Sequence, residues 1–266
     1  MVRGLYTAAS GALVAQSQVD VIANNLANVN TVGFKRSLLQ VVDNRHIDLY
    51  RYQTDPTKPT AAGNNTQGVA NAAFVGTLGL GSLIYDTPTI LDQGALQPTD
   101  NPLDFGLHGP GYFVVQEPNG AIRYTRNGAF LRNNQGQLTT DNGDLVLDQN
   151  NAPITLPDSR LGQPQINGQG QIYVNNQLVG QFKLVEFLDP QNSRPEGANR
   201  DGAATVSATS NTDVVQFHLE RSNAEVVKSM TDLISAERWF DANIKVIQTE
   251  DQLTGDAVTT VGRTNA

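Results

Sequence analysis

The period of the hydrophobic pattern changes twice along this 266-residue chain, and that change limits the fold more than any single motif does. Near the N-terminus, Leu5, Ala12, Val19 and Leu26 recur every seven residues, with Ala8, Ala15 and Ile22 three positions after the first three. This spacing predicts a helix over about residues 2–28, and its alanines would let a partner helix approach closely. The same stripe also fits an ordinary amphipathic helix resting on its own core. Asn28, Asn30 and Gly33 supply the stop signal. From about Asn223 to Val261 a second seam runs through Val226, Met230, Leu233, Glu237, Phe240, Ile244, Ile247, Asp251, Thr254, Val258 and Val261. A heptad sustained this far predicts a helix on the order of 50 Å long and a coiled-coil partner. Gly255 is its weak point, at roughly 1 kcal/mol against Ala. Glu237, Asp251 and Thr254 occupy seam positions where apolar residues are expected.

Between these ends the period falls to two. Tyr112–Val115, Ala121–Thr125, Leu145–Leu147, Gln171–Val174 and Phe182–Phe187 read as short strands. Asn-Gly steps at Asn119, Asn127, Asn142 and Asn167 suggest type I′ turns, whose two central residues both need positive φ. The runs Asn134–Leu138 and Gly168–Ile172 look like one turn-and-strand module used twice. The fold class expected is therefore α+β: two long terminal helices forming a coiled-coil shaft, with an inserted all-β domain. The boundaries expected are 1–36 for the N-terminal helix, 37–94 for an extended arm, 95–205 for the β domain and 206–266 for a return segment and the C-terminal helix. The stretch from Pro59 to Tyr85 carries no charged side chain and reads as an extended arm that orders against a neighbour.

Composition excludes several functions. A net charge of −8 argues against tracking nucleic-acid phosphates, which needs clustered Lys and Arg. Zero cysteines remove disulfides, thiolate metal sites and thiol nucleophiles. No apolar run is long enough for a transmembrane helix, and the N-terminal stretch lacks the apolar core of a cleaved signal peptide. With aromatics at only 6%, the chain looks short of bulky side chains for a large core and is expected to gain stability from partners. The three histidines, His46, His108 and His218, lie far apart and outside any metal-binding frame. No nucleophile elbow, calcium loop or dinucleotide fingerprint occurs in a fitting context. The sequence thus predicts no enzyme, no cofactor and no metal. Two complementary helical seams around a β body predict a polymer-forming subunit, since head-to-tail contacts that do not close give helical filaments.

The residues also carry a family resemblance. Asp20-Val21-Ile22-Ala23-Asn24-Asn25-Leu26-Ala27-Asn28 with Thr31, Gly33, Phe34 and Lys35 resembles the N-terminal signature of the bacterial flagellar axial proteins, specifically the basal-body rod. Leu103-Asp104-Phe105, Gly109–Val115 and Tyr124–Phe130 are similar to the β-domain signature of the longer rod and hook members. Leu219–Asn223 resembles the lead into the family's last helix, where Ala224 departs from the usual Val. The resemblance implies a self-assembling subunit of the rod, the tubular shaft that carries torque from motor to hook, in the periplasm-spanning basal body. It implies homo-oligomerisation in a helical tube, neighbouring rod and hook proteins, surrounding ring proteins and uncleaved passage through the type III export apparatus. Both the distal rod protein and its paralogue at the proximal–distal junction fit. Expected assembly residues are Leu5, Ala12, Val19, Asn24, Asn25, Leu26 and Asn28 on the first helix and Val226, Met230, Leu233, Phe240, Ile244 and Ile247 on the second. The rival from another class is a β-rich adhesin or phage-tail-like shaft, which would explain the strands but not the Asn-rich helical signature.

Overall fold

The computed structural model describes residues 2–44, 46–50, 74–157, 162–187, 195–196, 199–201, 206–208 and 211–263. The chain is α+β, with helix α1 at Val2–Ala27, helix α2 at Val226–Arg263 and short strands between them. It divides into two compact units. One, the β unit, comprises Asp20–Leu38 and Thr87–Leu233; the other, the helical unit, comprises Met1–Val19, Leu39–Asp86 and Ile234–Ala266.

The β unit is organised around the strand Tyr112–Gln116, which pairs antiparallel with Ile122–Thr125 on one side. On its other side it pairs with Leu145–Val146 and with Leu184–Phe187. Alternate side chains of a strand point to opposite faces, and here both faces are buried. Phe113 and Val115 enter a core with Phe105, Phe130, Phe182, Leu138, Ile154 and Val214, whereas Tyr112 and Val114 join Tyr124, Val185 and Phe187. Phe113 meets Phe130 and Phe182 edge-on, with ring centroids 5.1 and 5.2 Å apart. Four phenylalanines, Phe105, Phe113, Phe130 and Phe182, thus meet in one core, which corrects the expectation that this composition is too lean for a substantial core. Val214 belongs to a strand, Asp213–Gln216, that pairs with Phe105–His108, while His218–Glu220 pairs with Leu96–Pro98. The β body therefore recruits residues that the sequence pattern assigned to the return segment.

The turns share one design. Five segments, starting at Glu117, Asn133, Thr140, Asp148 and Asn167, close with the first N–H donating to the carbonyl four residues on and the fourth N–H donating back to the first carbonyl. The fourth residue has positive φ in each, from 60° at Asn151 to 90° at Gly120. This is the three-residue hairpin loop, a type I turn followed by a left-handed residue. In none of the four Asn-Gly steps does the Asn have positive φ, so the expected type I′ turns do not form there. The two-residue loop with both central residues left-handed instead falls at Asn175-Asn176, between the paired Val174 and Gln177. The repeated module does recur: Asn133 and Asn167 each donate from Nδ2 to the Gln four residues on, at 3.0 and 2.8 Å.

One buried charged cluster ties the β unit together. The Glu220 carboxylate accepts from Lys35 Nζ at 2.6 Å, from the Gly94 N–H at 2.8 Å and from Arg126 Nη1 at 3.1 Å. All three charged side chains are at least 94% buried. Lys35 also donates to the Asp92 carbonyl, and Arg126 donates to the Gly109 carbonyl with its guanidinium 4.9 Å from the Tyr112 ring. The Gly33 N–H donates to the Glu220 carbonyl at 2.8 Å. Gly33 has φ +70°, and a Cβ there would lie 2.6 Å from the Arg126 carbonyl carbon, so only glycine fits. Asn223 completes the cluster. Its Oδ1 accepts from the Arg36 N–H, and its Nδ2 donates to the carbonyls of Ile90 and Asp92.

In the helical unit, α1 begins the chain and α2, at 1.5 Å per residue, is about 57 Å long overall. The helix runs through Gly255 without interruption. Gln40–Asp43 pairs with Ser82–Asp86, and His46–Tyr50 with Phe74–Gly79, all antiparallel. Between residues 40 and 86 the described part of the expected extended arm is therefore a ribbon paired two strands at a time, while residues 87–94 belong to the β unit; residues 45 and 51–73 of that arm lie outside the described residues.

Removing an acid from two buried cations should cost more than removing one of the cations. Glu220→Gln strands Lys35 and Arg126 together, and it is expected to cost about 3–5 kcal/mol of β-unit stability. Lys35→Met leaves the carboxylate with Arg126 and the Gly94 N–H, so its midpoint in urea should fall clearly less. Equal losses would contradict the arrangement.

Burial pushes the Lys35 ammonium below its ordinary 10.5, with the Glu220 carboxylate opposing. The unfolded chain then holds that proton more tightly, so the stability attributable to Lys35 rises as pH climbs from the folded-state pKa to the ordinary value. Burial raises the Tyr124 phenol above 10.0 and acts in the opposite sense at higher pH, in parent and variant alike. The parent's stability minus that of Lys35→Met should therefore increase with pH in the window just below 10.5. A flat or falling difference would contradict the burial.

Candidate assembly surface

The two terminal helices carry the expected site residues, and the structure sorts them into two groups. At the end of α1 the Asn-rich signature is used within the chain. Asn25 is buried, with Nδ2 donating to the Ser37 carbonyl at 2.8 Å and Oδ1 accepting from the Ser37 N–H at 2.9 Å. Asn28 donates to the Asn24 carbonyl and accepts from Thr31 Oγ1, closing the last turn. Asn25 and Asn28 thus use their amides within the chain, at the end of α1. Asn24 stays exposed, and Leu26 and Val19 are half-buried.

Further toward the N-terminus, Ala8, Ala12, Val14 and Ala15 are buried. The ribbon comes against this part of α1: the Ser82 N–H donates to Ser10 Oγ, and Gly81 lies close to Ser10 and Thr7. The second helix approaches at two glycines seven residues apart. A Cβ at Gly4 would lie 3.1 Å from Oε1 of Glu250, and one at Gly11 would lie 3.0 Å from Oδ1 of Asn243. Polar side chains laid on glycines make this contact, not interlocked apolar knobs.

This geometry resets the phase of the α2 stripe. Leu233, Phe240 and Ile247 are partly covered, as the heptad requires. The other covered positions are Ala236, Asn243 and Glu250, again seven apart. Ile244 is half-buried beside them, while Glu237 and Asp251 point to solvent. Sequence spacing assigned those acids to the seam because seven-residue repeats offset by one cannot be separated without knowing what the helix faces. The signal that could have separated them was the pairing of Gly4 and Gly11 on the opposite helix.

Apolar side chains also remain open. On α2, Trp239, Val246 and Leu253 are 58%, 47% and 53% exposed and sit seven residues apart. Val226, Met230 and Ile234 form another exposed row near the start of the helix. On α1 the exposed apolar side chains are Leu5, Tyr6 and Leu13, and on the ribbon Val41, Val42, Leu83 and Ile84. Single exposed apolar residues are ordinary; on α2 they recur in rows. Two open hollows of about 460 and 660 Å³ lie in the helical unit, the larger between Tyr6, Ala8, Leu80 and Val246. Among the described residues, no helix is long and apolar enough to cross a membrane, and no group of three or more His, Asp or Glu could hold a metal ion.

Sequence reasoning also missed Phe217. It has φ +61°, donates its N–H to the Asp104 carbonyl, and is 40% exposed between two strands. A bulky residue in the left-handed region is a strained position, and nothing in the local sequence announces it.

Comparison with known proteins accounts for these features together. Residues 5–35 match the family described as flagella basal body rod protein. Residues 106–174 match the flagellar hook protein FlgE/F/G D1 domain, and residues 209–260 match the flagellar basal body rod FlgEFG protein C-terminal family. The flagellar basal-body rod protein FlgG of Caulobacter vibrioides is 36% identical over 265 residues, covering 94% of this chain and 96% of that one. FlgG of Agrobacterium fabrum is 33% identical with the same coverage, and the rod protein FlgF of Mesorhizobium japonicum is 30% identical over 97% of both chains. The buried Lys35–Glu220–Arg126 cluster draws one residue from each of the three matched regions. By these matches along nearly its full length, this chain belongs to the flagellar basal-body rod protein family, the structural proteins of the flagellar basal body.

Proposed function

We propose that this chain self-assembles through its terminal helices into the tubular drive shaft that transmits torque from the flagellar motor to the hook. The observation that carries this reading is the pair of exposed apolar rows on α2, one with members seven residues apart and one with members four apart, in a chain whose β unit closes its own core. A helix with an apolar row in water gains roughly 25 cal/mol for each Å² that a neighbouring subunit covers, and a shaft repeats that gain at every copy. The partners that follow are other copies of the chain, adjacent rod and hook proteins, the surrounding rings and the type III export apparatus. Leu5, Val226 and Met230, exposed here, are assembly residues open to a second copy; Leu233, Phe240, Ile244 and Ile247 are half-buried. The FlgG relatives of Caulobacter vibrioides and Agrobacterium fabrum, at 36% and 33%, match at higher identity than the FlgF relative at 30%, which supports an FlgG-type role. The comparisons lend the adhesin or phage-tail alternative no support.

The test pairs two substitutions on one turn of α2. Met230→Asp removes roughly 1–2 kcal/mol of burial per contact and places a carboxylate in an apolar row. Assembly, followed by sedimentation and electron microscopy of concentrated protein, should need a markedly higher concentration, with circular dichroism of the dilute chain unchanged. Lys228→Asp, at an exposed position off the row, should assemble nearly as the parent does. Normal assembly of Met230→Asp would remove this row from the interface.

A further inference from the structure

The four Asn-Gly steps share one sequence chemistry, and the fold treats them very differently. An Asn-Gly step is open to self-modification: the glycine nitrogen attacks the Asn side-chain carbonyl, an N–C bond forms, and ammonia leaves with the proton from that nitrogen. Water then opens the cyclic imide to aspartate or isoaspartate. Water is the only co-reactant, and no redox change occurs. The reaction needs a side chain free to swing onto its own backbone and a site that water can reach.

At three of the steps the fold withholds one or both conditions. Asn119 is held at both ends, with Nδ2 donating to Glu117 Oε2 at 2.8 Å and Oδ1 accepting from the Ala121 N–H at 2.8 Å. Asn127 Oδ1 accepts from the Ala129 N–H, and Gly128 is buried with no room for a Cβ beside the Phe105 carbonyl. Asn167 is held twice by Gln171, through its backbone N–H and its side chain. At the fourth step, Asn142 and Gly143 are both exposed, and the Asn142 amide makes no hydrogen bond among the described residues. The Gly143 N–H does donate to the Thr140 carbonyl, but the Gly120 N–H makes the equivalent bond to Glu117, so this restraint does not separate Asn142 from Asn119.

We propose that Asn142 is a site of spontaneous deamidation on the β unit, and that the fold protects the other three Asn-Gly steps. The product would lie beside Asp141 and two residues from Asp144, placing three acids within four residues. An isoaspartate would also lengthen the backbone inside the loop that closes Thr139 against Leu145. Each subunit would thus carry an irreversible, age-dependent negative charge at one exposed hairpin.

The experiment incubates the purified full-length chain at mildly alkaline pH, with a parallel sample in urea, and follows all four sites by peptide mass spectrometry and isoaspartyl methyltransferase labelling. In urea the four steps should react at comparable rates. In the folded chain Asn142, restrained only through the Gly143 N–H, should react fastest of the four, while Asn119, Asn127 and Asn167 slow further, Asn127 and Asn167 by roughly tenfold or more, the scale of one or two lost hydrogen bonds. Asn142→Gln should remove most of the label from the folded chain while preserving its circular dichroism. A folded chain in which another step reacts first, or in which Asn142 is slowed as much as Asn167, would overturn the proposal.

Discussion

A single carboxylate, that of Glu220, holds together parts of the chain that are far apart in sequence. It sits between Lys35, which follows α1, and Arg126, which follows a β-body strand, and it also accepts the N–H of Gly94. In water such a cluster would gain little, since solvent screens exposed ion pairs. Buried, its worth lies less in net stability than in the penalty for any arrangement that leaves one member unpaired. Hydrogen bonds at the neighbouring positions extend the same logic. Asn25 clasps Ser37 at the end of α1, and Asn223 clasps Arg36 just before α2 begins. The last turn of α1 and the lead into α2 thus converge on residues 33–37 within the β unit.

That convergence gives a physical meaning to the Asn-rich signature. A residue can carry a family's identity because it contacts another subunit or because it fixes the chain's own geometry. Asn25, Gly33, Lys35, Arg126, Glu220 and Asn223 do the second. The exposed apolar rows on α1 and α2 are available for the first. The Glu220 carboxylate and the Asn25 and Asn223 amides find their partners within the chain, whereas the apolar side chains exposed on α1 and α2 do not.

Much of this could be read from the sequence because it is periodic. Both helices, the strand Tyr112–Gln116 and the repeated Asn133 and Asn167 modules follow from spacing alone. What spacing could not supply was long-range pairing. Nothing near Val214 indicates that it completes a core built around Phe113, a hundred residues earlier. Nothing near Glu220 announces that it will be buried between two cations. The α2 phase failed for the same reason, because Asn243 and Glu250 are covered only where Gly4 and Gly11 lie opposite them. The Asn-Gly turns failed on a local matter: with a third loop residue available, the left-handed position needs only the glycine, and the asparagine keeps negative φ.

The account rests on the distinction between groups satisfied within the chain and rows left for assembly, and amide hydrogen exchange measures it most directly. In the dilute monomer, the Gly33 and Gly94 amides bound to Glu220 should exchange as slowly as those of the Phe113 core. Those of α2 from Val246 to Val258 should exchange quickly and become protected only in sedimented assemblies. Fast exchange at Gly33 and Gly94 in the folded monomer, or full protection of the distal part of α2 before any assembly, would contradict it.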